Sequence, residues 1–382
     1  MGKIGTMLSI LIPDGESSLL LYVVNGLSQV KGINIYVMSN KKYIPMRLSR
    51  HIKNFSFYPK TENELDWIEN INQEIKKYKI DVLLPIYESG IETIIKFRGK
   101  LISEKLCLLP SIVDFTKAKN KWMLARHLLI NDLPYPETAL FLMEEKFRIN
   151  KLKFPLIVKP VEGRGGGEGV FLFNTKDELE YYFLNNKFTN SQIVQEYVKG
   201  YDIGCSVLCK SGDILAFTIQ KCTMPNTNPF RPLLGVKFVY DENLYIIVKK
   251  MMESLNWSGV AHVDLRYDIE AKVYKVIEVN TRFWGSLDAS LTAGINFPYL
   301  YCLAISNVNF VVPKYNYISF LNLKGLLLSI VKDRKLLFDF SYMFNNTPLK
   351  FALKDPLPFI FKYINFTKVS LANLVKIKVG RE

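Results

Sequence analysis

Val276-Ile277-Glu278-Val279-Asn280-Thr281-Arg282 reads as a strand with its polar groups at alternate positions. Side chains two apart on a strand share a face, so Glu278, Asn280 and Arg282 line one surface while Ile277 and Val279 are buried behind it. Asp264, in Val263-Asp264-Leu265-Arg266, can face them from a neighbouring strand. Two carboxylates and an amide are hard oxygen donors. Such a set suits magnesium, which usually takes one or two protein carboxylates and fills its shell with substrate phosphates. Arg282 would then face a phosphate being transferred. For Asp264 or Arg282 taken alone, a solvated surface hairpin is the alternative.

A second group lies upstream. Phe154-Pro155-Leu156-Ile157-Val158-Lys159-Pro160 is a short apolar strand ending in a lysine, and Gly163, Gly165, Gly166, Gly167 and Gly169 follow it. Glycines allow positive φ and close backbone approach, so successive N–H groups can point at an anion while Lys159 supplies a point charge. No Gly-Lys-Ser/Thr ends the loop, so it is not a P-loop, and no dinucleotide fingerprint opens a helix here. A glycine-rich hairpin turn is the alternative.

The elements that must hold these groups follow from the hydrophobic pattern. The first 110 residues alternate strand and helix: residues 4–12 as strand, 17–30 as amphipathic helix, 33–38 as strand, 62–78 as helix, 81–85 as strand, 88–97 as helix and 106–109 as strand. Strands separated by helices of this length predict an open parallel sheet with right-handed crossovers. Pro13-Asp14-Gly15-Glu16 occupies the first strand-helix turn, which places no nucleotide there. Residues 120–130 read as a helix closed by Pro134 and Pro136, and residues 176–184 as a helix capped by Asn174 or Thr175. Strands are expected at 192–197, 202–209 and 214–220, a loop over the site at 222–234, and a helix at 242–255.

Composition narrows the classes. At 382 residues the chain exceeds one ordinary core, and 49% of it is apolar, which predicts two or three packed units and excludes wholesale disorder. No run approaches the roughly 18 uncharged apolar residues of a membrane span. Five cysteines without zinc-type pairing read as reduced thiols of a cytoplasmic protein. With His51, His127 and His262 the only histidines, a histidine-rich metal site or a Ser-His-Asp hydrolase has little material, and each is expected to be structural. The formal charge is +14, and residues 313–382 carry twelve Lys and Arg against four Asp and Glu. That basic, apolar segment either packs on the body or lies on an anionic lipid surface at the inner membrane face, where a lipid-linked acceptor would be met. No module accompanies the charge that would bind nucleic acid.

The order of these motifs resembles the ATP-grasp superfamily over roughly residues 4–305, within the branch of carbamoyl-phosphate-synthase-like enzymes and amino-acid ligases, because Asn280-Thr281-Arg282-Phe283-Trp284-Gly285 is similar to that branch's Asn-Pro-Arg-Phe-Gly-Gly. The resemblance implies an α/β architecture: an N-terminal parallel-sheet domain (1–115), a small lobe with the glycine loop (116–200), a large lobe with the metal strand (201–312) and a mixed helical C-terminal extension (313–382). It implies that Lys121, fifteen residues before Pro136, and Lys159 bind ATP phosphates under the loop containing Gly165, Gly166 and Gly167. The family places Asp before the first lysine; here Asn120 stands. Glu196, Tyr197 and Val198 match the hinge that reads adenine, and Asp202 the acid that accepts from ribose. Asp264, Glu278 and Asn280 match the ligands of two magnesium ions, for which manganese can substitute, and Arg282 the arginine on the transferring phosphoryl group. The implied reaction is ATP-dependent ligation of a carboxylate to an amine through an acyl phosphate. A bicarbonate-using carbamoyl-phosphate-synthase-like enzyme and an inactive ATP-binding accessory protein are the alternatives. Arg231 and Lys237 are candidates for holding the substrate carboxylate, and a homodimer is compatible with the sequence.

Overall fold

A computed structural model describes residues 7–141, 152–163, 166–188, 190–228, 230–306, 308, 310–311 and 313–361. The apolar run Leu8–Ile12 (β1) has no face fit for water, and it lies inside a parallel sheet with Ile33–Ser39 (β2), Ile52–Phe57 (β3) and Val82–Leu83 (β4), in the order β3-β2-β1-β4. Leu20–Leu27 (α1) covers one face; Glu64–Tyr78 (α2) and Glu88–Lys96 (α3) cover the other. Helix α2 shows how local chemistry sets such an element: Asn63 caps it by accepting from the Leu65 N–H, acidic Glu64 and Asp66 start it, and Lys76 and Lys77 end it.

One sequence expectation changes here, and one strand is new. Residues 106–109 form no strand: the Tyr301 hydroxyl accepts from the Leu108 N–H at 2.9 Å and donates to its carbonyl at 3.1 Å, which replaces a ladder. Strand β3, half-buried along its length and lying at the sheet edge, has no matching expectation.

Ile112–Lys119 (α4) and Lys121–Ile130 (α5) lead into a four-stranded antiparallel sheet of Thr138–Phe141 (β5), Leu156–Pro160 (β6), Phe171–Phe173 (β7) and Gln192–Glu196 (β8), ordered β5-β8-β6-β7. Lys176–Asn185 (α6) packs on it through Leu179 and is started by a capping box of Thr175 and Glu178.

The third sheet is antiparallel and six-stranded. It contains Gly200–Lys210 (β9), Asp213–Met224 (β10), Gly235–Val239 (β11), Gly259–Asp268 (β12), Val273–Asn280 (β13) and Ser319–Leu321 (β14), in the order β13-β12-β9-β10-β11-β14. Glu242–Ser254 (α7) covers one face, burying Leu244, Val248, Met251 and Met252 against Cys205, Val207 and Cys209. Leu287–Thr292 (α8) and Phe297–Ile305 (α9) follow the β13 strand and pack with Phe283 and Trp284 against β1 and α1. Asn25 of α1 donates to both Asp288 oxygens, at 3.1 and 3.2 Å, inside this contact.

The C-terminal part is helical, with Leu323–Lys332 (α10), a 3₁₀ turn at Arg334–Phe338, Phe340–Asn345 (α11) and Leu349–Lys354 (α12). It is also part of the body, since β14 pairs with β11 through Val236 and Phe320. Cys205, Cys209, Cys222 and Cys302 are free thiols, with Cys205, Cys209 and Cys302 buried. Among the described residues no helix is long and apolar enough to cross a membrane.

Candidate active site

The β12-β13 register makes Asp264 and Glu278 direct cross-strand partners, and likewise His262 and Asn280. Cross-strand partners share a face, so the alternation in the sequence becomes a cluster. After Glu278 the register slips: Leu265 pairs with Val276, which leaves Ile277 as the extra residue of a bulge. A bulge takes its carbonyl out of the ladder. The Lys159 ammonium, arriving from β6 of the small sheet, donates to that Ile277 carbonyl at 3.5 Å. Burial pushes the Lys159 pKa down to about 8, opposed by Glu278 and Asp264 and reinforced by Lys121.

Lys121 opens α5, its N–H bonded to the Val161 carbonyl just past β6, and its ammonium lies 3.6 Å from Glu278 Oε2. Asn120 caps the same helix by accepting from the Met123 N–H at 3.0 Å, and its amide donates to Glu162 at 3.2 Å. An aspartate would cap equally well but could not donate to Glu162. Lys119, one residue earlier, bridges Glu92 of α3 at 2.7 Å and Glu162 at 3.1 Å.

Asp264 is held on two sides. Asn280 Nδ2 donates to its Oδ2 at 2.7 Å and His262 Nε2 lies 3.3 Å from its Oδ1. The other His262 nitrogen meets Ser206 Oγ at 2.8 Å, and Trp284 stacks on the ring. Burial opposes ionisation of Asp264, but His262, Asn280 and Arg282 together hold its carboxyl below the usual range. Arg282 donates to Asn280 Oδ1 at 3.2 Å and to the Phe283 carbonyl at 2.8 Å; its Nε lies 3.8 Å from Glu88, with the Tyr87 ring beside it. Tyr87 and Glu88 stand at the start of α3, and the loop leading to them from β4 is pinned by Asp14, whose Oδ2 accepts from the Ile86 N–H at 2.6 Å and the Tyr87 N–H at 3.2 Å. Burial raises the Asp14 pKa to about 7 despite those two bonds. Glu88, Lys119, Lys121, Glu278, Asn280 and Arg282 surround a polar cavity of about 30 Å³.

Residues 118–286 match the ATP-grasp domain family. The chain carries an ATP-grasp domain. Its relatives include a D-aspartate ligase of Enterococcus faecium, 22% identical over 56% of this chain and 55% of the relative, and a D-alanine–D-alanine ligase of Petrotoga mobilis, 24% identical over 52% and 75%. The chain thus spans about half the length of that D-aspartate ligase. Among solved structures, an N5-carboxyaminoimidazole synthetase from Staphylococcus aureus complexed with ADP shares the fold at a TM-score of 0.67, with 17% identity and 87% of each chain covered. An L-amino acid ligase from Bacillus licheniformis does so at 0.58, with 19% identity over 79% of this chain and 76% of that one.

Within the ATP-grasp domain, Lys121, Lys159, Asp264, Glu278, Asn280 and Arg282 lie together at one end of the cleft between the two antiparallel sheets. At the connection between those sheets, the Glu196 N–H bonds the Glu137 carbonyl, the Tyr197 N–H bonds the Pro155 carbonyl, and the Val198 carbonyl accepts from Arg266 Nε at 3.0 Å. Asp202 is ion-paired to Arg266 at 2.6 Å, and burial raises its pKa against that pairing. Gly166 and Gly167 have φ of +66° and +75°, and Gly167 lies so close to Phe230 that a Cβ would meet its carbonyl oxygen at 1.9 Å. Gly165 lies outside the described residues. Arg231 and Lys237 are exposed and do not line the cavity; Lys237 sits on β11 opposite Lys221, away from β12.

Sequence reasoning missed four contributors. His262 and Arg266 stand two positions either side of Asp264 on one strand, so the same alternation that found Glu278 could have found them. Glu88 and Asp14 are remote from the cluster in sequence, and no local pattern marks them. As for metal, the donor set is two carboxylates and an amide oxygen on adjacent strands. No described group of three or more His, Cys, Asp or Glu forms a closed metal cage. The residues therefore fit a hard cation whose remaining ligands are phosphate oxygens.

Proposed function

We propose that the chain is an ATP- and magnesium-dependent carboxylate-amine ligase that uses an amino acid or a related small carboxylate. The observation that carries this reading is the convergence, within an ATP-grasp domain, of two lysines, two carboxylates, an amide and an arginine on one end of a cleft. Its sequence relatives, a D-aspartate ligase and a D-alanine–D-alanine ligase, support an amino acid as a substrate.

A carboxylate is a poor nucleophile toward ATP because both are anionic, so the site must neutralise and position. Lys121 and Lys159 bind the phosphates, Lys121 from the start of α5 and Lys159 from β6. Asp264, Glu278 and Asn280 would hold magnesium, which would neutralise phosphate charge. The substrate carboxylate oxygen attacks the γ-phosphorus, ADP departs, and Arg282 stabilises the transferring phosphoryl group and the acyl phosphate formed. The amine then attacks the acyl carbon, phosphate leaves and the amine sheds its proton. The backbone at Glu196 and Val198 reads adenine, and Asp202 accepts from ribose with its orientation fixed by Arg266.

Phosphate release is measured with ATP, magnesium and an amino-acid panel, with hydroxylamine to trap the acyl phosphate for mass spectrometry. Release that depends on one amino acid, with the matching hydroxamate, is expected. Release that depends on bicarbonate alone replaces the reading, and tight ATP binding without any substrate-dependent release ends it.

A further inference from the structure

We infer that the C-terminal helices and the stretch at residues 41–60 form one cationic, apolar face that docks on an anionic lipid bilayer. Two independent observations carry this. Ten of the large apolar side chains exposed among the described residues lie between 327 and 360, including Leu327, Val331, Phe338, Phe340 and Leu353, with Val331 and Phe338 each 78% exposed. A soluble surface rarely concentrates apolar groups in this way without a partner. Lys332, Arg334 and Lys335 are interleaved with them. Separately, residues 41–60 contain Lys41, Lys42, Arg47, Arg50, Lys53 and Lys60, all exposed, and no Asp or Glu.

The fold joins the two segments. Asp355, just past α12, accepts from the Ser49 hydroxyl and the Arg50 N–H, Lys354 donates to Gln29, and Phe359 packs on the core shared by Ile44 and Met46. Tyr43, 74% exposed, adds an aromatic group beside the lysines. Basic residues around exposed Leu, Val and Phe are what an interface between water and anionic headgroups rewards: the charges meet the phosphates and the apolar groups leave water. A nucleic acid would satisfy the charges but leave the apolar groups wet. The face is built from short helices that lie on the body, and it needs no spanning segment.

The full chain is sedimented at low salt with vesicles of phosphatidylcholine alone and with vesicles containing about one third phosphatidylglycerol. Binding to the anionic vesicles only, weakened by salt, is expected. Lys41→Glu/Lys42→Glu and Val331→Ser/Phe338→Ser should each weaken it at least tenfold. All four side chains are exposed and none lines the cavity between Glu278 and Arg282, so unchanged melting and substrate-dependent phosphate release show intact protein, and the ligase reading stands or falls separately. The inference is overturned by absent binding to anionic vesicles, by equal binding to neutral ones, or by variants that bind as well as the parent. Retention on RNA without vesicle binding, or a dimer in solution that Phe338→Ser dissociates without vesicle binding, would overturn it equally and assign the face to that partner.

Discussion

At the scale of single residues, the cleft is a balance of opposed charges in which each side chain is held by another. Glu278 faces Lys121, Asp264 sits between His262 and Asn280, and Arg282 reaches both Asn280 and Glu88. Losing a preorganised charge in such a setting costs turnover more than folding. Glu278→Gln and Arg282→Ala should each reduce substrate-dependent phosphate release on the order of a hundredfold, with melting little changed; near-full activity in either variant would remove that residue from the chemistry. Asp14 makes a different prediction. Burial puts its folded pKa at about 7, above the ordinary aspartate value of 3.8, so the native state binds the proton more tightly than the unfolded chain. Stability is therefore withdrawn as pH rises from about 4 to 7, on the order of a few kcal/mol, and levels off above that. Asp14→Asn keeps an acceptor for the Ile86 and Tyr87 N–H groups and removes the titration. Its melting temperature should fall less than the parent's between pH 5 and 7.5; an identical fall would show that Asp14 does not govern the slope.

At the scale of elements, the strand carrying Glu278 and Asn280 was legible because period-two alternation holds over the last residues of β13, with Arg282 two positions past its end, and its neighbour β12 could be paired to it by Asp264. The bulge at Ile277 was not legible, since a bulge is a property of two strands in register and neither strand announces it alone. For the same reason the pairing of Asp202 with Arg266 was not legible: alternation puts Arg266 on the face of Asp264, but its partner is fixed only once β9 and β12 are neighbours. The parallel N-terminal sheet was readable from alternating strands and helices, whereas residues 106–109 carried strand-like apolar character that Tyr301 diverted. The glycine loop supplies a graded test. Gly166 and Gly167 both have positive φ, but a Cβ on Gly166 meets nothing within 4 Å while one on Gly167 strikes the Phe230 backbone. Left-handed backbone costs a non-glycine residue about 1–2 kcal/mol. Gly166→Ala should therefore carry that cost alone, and Gly167→Ala should be markedly worse in the KM for ATP; equal KM values would mean the contact with Phe230 is immaterial.

At the scale of the molecule, the three sheets are tied by contacts that cross their borders. Helices α8 and α9 bury Phe283, Trp284 and Phe297 against β1 and α1, and β14 brings the C-terminal part into the central sheet. Sequence charge and apolarity marked that segment but did not reveal its strand, because three residues are too short to show a period. Asn322 fastens it: its Oδ1 caps α10 by accepting from the Gly325 N–H at 2.8 Å, and its Nδ2 donates to the Leu233 carbonyl at 3.0 Å. Asn322→Ala should cost about 1–2 kcal/mol, read as a lowered urea midpoint with an unchanged slope. No shift would mean that α10 contributes nothing to the cooperative unit.

The buried thiols turn this architecture into a clock. Cys205 and Cys209 lie in the core under α7 and Cys302 in the core that joins α9 to the N-terminal sheet, and burial pushes all three thiols far above their ordinary pKa. None can react with an alkylating probe until its core opens, whereas half-buried Cys107 and Cys222 are nearer the surface. Pulse alkylation followed by peptide mass mapping should modify Cys107 and Cys222 early and the three buried thiols late. If Cys302 is modified at the same rate as Cys205 and Cys209, the two cores open together; a separate rate for Cys302 would reveal a molecule that comes apart at the seam between its sheets.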